Sequence, residues 1–161
     1  MKYGFIKSAT VAAALGSFAL AMPANAGQDA ELHAWAKSAG VAVDKVMVYP
    51  TMALKRGEEG MTRIRVTVDR DGNIVASEKM LKADSWHINA AANRVLNKAD
   101  FPALPAAYRG EELSFALQLN YAIADSAQEA AALEREASVT GREIASGRGP
   151  VTASIQILDA D

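Results

Sequence analysis

The side chains able to do chemistry are few and scattered. Histidine occurs only at His33 and His87, which do not form a local metal-spacing pair. Asp84, Ser85 and His87 hold the residue types of a nucleophilic triad. Triad members need a fixed mutual geometry and normally come from distant segments, so this cluster is read as a helix cap supplied by Asp84 or Ser85. Asp69, Asp71 and Asn73 beside Gly72 are the ligand types of a calcium loop. Counted from Asp69, however, the sixth and twelfth positions, where an EF-hand needs Gly and Glu, are Ile74 and Met80. A hairpin turn is the expected role. Gly147-Arg148-Gly149 lacks the following Lys-Ser or Lys-Thr of a phosphate loop, and Glu111-Glu112 reads as a solvated turn. The chain has no cysteine, which removes thiolate nucleophiles, cysteine-type zinc sites and iron–sulfur clusters together. A hydrolase using His87 is the rival class to a binding protein, and no motif carries it. No cofactor and no metal are expected.

The elements that would position any site follow from periodicity. Leu32, Trp35, Ala36, Ala39, Val43 and Val46 form one stripe of a helix over 28–47, which Tyr49-Pro50 ends. Residues 51–60 read as a polar connection. Ile64, Val66 and Val68 alternate with Arg63, Arg65 and Thr67 in a half-buried strand over 61–69. Asp71-Gly72 turns the chain into a second strand over 74–81. Ser77, Glu78 and Lys79 interrupt the second strand, so an edge position with a bulge is expected. Ile88, Ala91, Ala92, Val95, Leu96 and Ala99 line a helix over 86–99, stopped by Phe101-Pro102-Ala103-Leu104-Pro105. Trp35 and Trp86 are both read as packing residues. Leu113, Phe115, Leu117, Leu119, Tyr121 and Ile123 alternate strictly with polar and small residues in the clearest strand of the chain. Residues 125–139 are rich in Ala and Glu and read as a helix. Residues 140–150 read as a linker, and Val151, Ala153, Ile155 and Ile157 mark a last strand.

The expected fold is α+β: a small antiparallel three-stranded sheet (β-β-α-β) with helices on one face, an N-terminal helix, and an extra C-terminal helix and strand. The opposite face, with Arg63, Arg65, Thr67, Gln118 and Asn120, is expected to meet water. The N-terminus resembles a secretory leader. Lys2 and Lys7 precede an apolar stretch from Ala9 to Met22, and Ala24-Asn25-Ala26 offers a cleavage site. The expected organisation is a leader over 1–26, one domain over 27–123 and an extension over 124–161. A net charge of −2, more negative once the leader is removed, argues against nucleic acid as a partner.

Several motifs in order resemble the C-terminal domain of the TonB family. Tyr49-Pro50 is followed by Ala53, Lys55-Arg56-Gly57 and Glu59-Gly60. The hairpin Val66-Thr67-Val68-Asp69-Arg70-Asp71-Gly72-Asn73-Ile74, the run Ile88-Asn89-Ala90-Ala91-Ala92, and Phe101-Pro102-Ala103-Leu104-Pro105 then follow. The resemblance spans Tyr49 to Ile123. It implies a periplasmic, non-enzymatic domain that pairs one strand edge with a short extended peptide of an outer-membrane transporter. On this sequence the peptide-binding residues would be Tyr49, Pro50, Leu113, Phe115, Leu117, Leu119 and Tyr121. A membrane-anchored TonB-type energy transducer, with the leader retained, is the second reading. The strand over 151–158 is expected to cover the exposed edge of 113–123, in its own chain or in a homodimer with a second copy. The alternative is the opposite edge, beside the weak second strand.

Overall fold

The structure, a computed structural model, describes residues 24–123, 128, 129, 132, 143–147 and 151–158. Helix α1 spans Ala24–Asp44. It starts before the expected position and runs through Gly40. Leu32, Trp35, Ala36, Ala39 and Val43 are buried, as the stripe requires. The segment 51–60, read as a connection, contains a short helix instead: α2, Thr51–Arg56. Pro50 sets its start, with φ −63° and ψ 125°, and Gly57 closes it at φ +63°. The Gly57 N–H donates to Leu54 O and the Glu58 N–H to Ala53 O, at 3.2 and 2.9 Å. This is the Schellman closure that favours glycine.

Strands β1 (Gly60–Asp69) and β2 (Ile74–Leu81) form the expected hairpin. Its turn is held by the Asp69 carboxylate, which accepts the N–H groups of Asp71 and Asn73 at 3.0 and 2.9 Å. Gly72 has φ +89°, and a Cβ there would lie 2.3 Å from Phe101 O, so only glycine fits. Helix α3, Trp86–Lys98, buries Ile88, Ala91, Ala92 and Val95, and the two alanines let it lie close to β1. The chain then passes under α1, where the Trp35 indole N–H donates to Pro102 O at 2.9 Å.

Strand β3 is Glu112–Tyr121, β4 is Glu143–Gly147 and β5 is Val151–Ile157. The sheet is therefore not three-stranded. It has five strands in the order β2-β1-β3-β5-β4, every neighbour antiparallel. The tail strand lies on β3 within its own chain and not beside β2. The expected linker over 140–150 contains β4. In the expected helix over 125–139, residues 128, 129 and 132 are helical, and the rest of that segment lies outside the described residues.

One face of the sheet packs on the helices, α1 over β4 and β5 and α3 over β1. The other face is wet only in part. Arg65 is exposed, and Arg63, Thr67, Gln118 and Asn120 are half-buried. Ala116, Thr152 and Ser154 on that face are buried.

Candidate functional site

Strand β3 is the centre of the five-stranded sheet. On one side it pairs with β1 from Gly60↔Tyr121 to Asp69↔Glu112. On the other it pairs with β5 from Phe115↔Ile157 to Tyr121↔Val151. The Leu158 N–H extends this second ladder by donating to Ser114 O at 3.0 Å. The edge expected to face a partner is thus occupied by the chain itself. Leu113, Phe115, Leu117, Leu119 and Tyr121 are all buried in the core. Phe115 is wedged between the rings of Trp35 and Phe101, at centroid distances of 5.4 and 5.3 Å. These side chains support the edge from below, and the edge's bonding capacity lies in the β3 backbone.

Tyr49 and Pro50 lie at the Tyr121 end of this strand. The Tyr49 ring meets the Tyr121 ring edge-on at 5.6 Å. Its hydroxyl donates to Glu58 O at 2.7 Å. Burial, with Glu59 and Glu58 nearby, raises the Tyr49 hydroxyl above the ordinary tyrosine range. Pro50 is half-buried and caps α2. The structure thus brings Tyr49, Pro50 and Tyr121 to one corner and leaves Leu113 at the far end of β3.

Across the face opposite the helices, side chains tie β5 inward. The Arg63 guanidinium on β1 donates to the side-chain Oε1 of Gln156 on β5, spanning β3. The Asn120 amide donates to the Thr152 hydroxyl at 3.4 Å. Sequence spacing could not reveal these contacts, because alternation gives the face of a strand and not its neighbour.

The Ser85–His87 cluster acquires a member that sequence reasoning missed. The Ser85 hydroxyl donates to Glu58 Oε2 at 2.6 Å and accepts the Ile88 N–H at 3.2 Å. His87 Nδ1 lies 3.0 Å from the same carboxylate oxygen. Ser85 is the helix cap, and exposed Asp84 is not. The serine proton is directed to the glutamate. A triad needs the imidazole between hydroxyl and acid, and here both approach the acid separately. The bond from Ser85, then the contact with His87 and the charge of Arg56, hold the Glu58 carboxyl below the ordinary range against a smaller opposing effect of desolvation. Trp86, expected to pack, is 74% exposed beside the His87 ring. As the first residue of α3 it lies off the buried stripe of Ile88, Ala91, Ala92 and Val95.

Among the described residues no group of three or more His, Asp or Glu side chains could hold a metal ion. Among the same residues no helix is long and apolar enough to cross a membrane. No curated protein and no solved structure matches the chain. Residues 45–123 match the family model described as Gram-negative bacterial TonB protein C-terminal. That span runs from the end of α1 through β3, and includes the hairpin, α3 and the Tyr49 corner. Domains of this family are periplasmic, non-enzymatic and contact outer-membrane transporters. Over residues 45–123 the chain is thus similar to the TonB C-terminal domain, the family its sequence motifs resemble.

Proposed function

We propose that this is an exported periplasmic interaction domain serving outer-membrane transport, which takes an extended segment of an envelope protein as an added strand. The observation that carries the reading is the β3 edge: it holds an antiparallel strand of this chain, in register from Phe115↔Ile157 to Tyr121↔Val151. Strand addition draws affinity from main-chain hydrogen bonds and specificity from the alternate side chains. The separate approach of Ser85 and His87 to Glu58 gives no support to the hydrolase alternative.

Isothermal titration of the chain from Gly27 to Asp161 with extended peptides from outer-membrane transporters tests the reading. Stoichiometric binding in the micromolar range, about −8 kcal/mol, is expected. Tight binding of a metal ion or nucleotide with no peptide binding at all would overturn it.

A further inference from the structure

The outer edge of β2 and the β5-facing edge of β3 contrast. Outer strand β2 skips Val75 and Met80 in its pairing with β1, so it carries two bulges, and Glu78 and Lys79 stand between them. Bulges and charges are the usual devices against a further strand. The β3 edge from Phe115 to Tyr121 has neither, and its register with β5 runs without a shift. The segment Val151-Thr152-Ala153-Ser154-Ile155-Gln156-Ile157 that fills it carries no charge. Val151, Ala153 and Ile155 are buried on the helix side. Thr152 and Ser154 are buried on the other side, where Gln156 accepts from Arg63.

We propose, on the strand-addition reading above, that β5 is this chain's own stand-in for a partner strand. An envelope segment of the same type takes the β3 edge by displacing β5, which otherwise holds the edge closed. The register defines that segment. It is antiparallel to β3 and apolar at every second residue, with a small residue opposite Leu119, where Ala153 now sits. The residues between are uncharged and polar. The position of Gln156 also admits a carboxylate, because it meets the Arg63 guanidinium. A charge at any helix-facing position would be buried without a partner. The occupant can leave together with β4, because β4 is the last strand and its sheet neighbour is β5.

The test uses the chain from Gly27 to Asp161 and a labelled synthetic peptide of residues 151–158. Gln118 and Ser154 face each other across the ladder, and the chain has no cysteine of its own. In the Gln118→Cys/Ser154→Cys variant the peptide is expected to bind the reduced form and to bind the disulfide-locked form at least about tenfold more weakly. Ile155→Ala, which weakens the occupant and leaves β3 intact, is expected to raise peptide affinity. In native-state hydrogen exchange the β5 amides should exchange at least about tenfold faster than those of Ile64 and Val66. Equal binding to locked and reduced forms would overturn the inference while leaving strand addition standing, because the peptide would then use another edge. Protection of β5 equal to that of β1 would overturn it too. Failure of the peptide to bind any form, including Ile155→Ala, would sink the strand-addition reading itself.

Discussion

Two side chains at the Tyr49 corner make opposite demands on pH. Tyr121 is 1% exposed, and its hydroxyl has no hydrogen-bond partner among the described residues. Burial pushes its pKa up from 10.0 to about 12, with Arg94 opposing. The unfolded chain therefore loses this proton first, and stability falls as pH rises from 10 towards 12, by on the order of 2 kcal/mol. Tyr121→Phe removes no bond, so near neutrality it should change stability by less than about 1 kcal/mol. It should also flatten the alkaline limb of a plot of melting temperature against pH. An equally steep limb in both proteins would count against this placement of the hydroxyl. Glu58 works in the other direction. Its carboxyl is held below the ordinary range, so its stabilisation is complete above the unfolded value and disappears as pH falls through the lowered one. Glu58→Gln should be less acid-sensitive than the parent below pH 5, where the ordinary glutamate range begins. Parallel acid limbs would argue that the links to Ser85 and His87 carry no stability. Nothing in the sequence pairs Glu58 with residues 27 and 29 positions away. Only the antiparallel return of the chain brings the end of α2 to the start of α3.

At the scale of elements, the strands in which apolar and polar residues alternate were legible and the others less so. Alternation in β1 and β3 is clean because the helix-facing residues, Ile64, Val66 and Val68, then every second residue from Leu113 to Tyr121, are buried and most of those between them are not. In β5 both faces are buried from Val151 to Ile155, and its alternation is one of apolar against polar side chains. All eight residues of β2 are exposed, so burial imposes no pattern on them, and its bulges break the period. Helix α2 has six residues, too few for a helical stripe, and only the punctuation of Pro50 and Gly57 marked it. Strand β4 escaped because Glu143-Ile144-Ala145-Ser146-Gly147 has neither alternation nor a β-branched run. The assigned register makes a sharp demand. Leu117→Asp places an unpaired carboxylate in the core, at a cost of several kcal/mol and comparable to the whole stability of a domain. Arg65 is exposed and its contact with Glu78 is a surface pair at 3.6 Å, so Arg65→Ala should cost less than about 0.5 kcal/mol. Equal melting temperatures for the two variants would show that β1 and β3 face the wrong way.

The whole molecule exceeds the family segment on both sides. Helix α1 begins at Ala24, inside the expected leader, so the cleavage point bears on where the folded chain starts. Intact-mass measurement on envelope protein is expected to show a species lacking residues 1–26. A full-length mass in the inner-membrane fraction would favour the anchored-transducer reading instead. The core itself crosses the limits of residues 45–123. Leu32, Trp35, Ala36, Ala39 and Val43 precede that span, Val151, Ala153 and Ile155 follow it, and all belong to the same buried cluster. Helix α1 packs on β5 as well as β4, so the two flanks hold each other against β3. Burying each large apolar side chain contributes about 1.5–3 kcal/mol. Removing Leu32, Trp35, Val43, Val151 and Ile155 together therefore forfeits roughly as much as a domain's total stability of about 5–15 kcal/mol. Segments 27–161 and 45–123 should differ accordingly in thermal melts followed by circular dichroism. The longer is expected to unfold in one cooperative transition. The shorter, with Phe115 stripped of Trp35 and the β3 edge bare, is expected to show no cooperative transition or to aggregate. A sigmoidal melt of 45–123 at the melting temperature of the longer chain would mean that α1 and β5 decorate the domain without stabilising it.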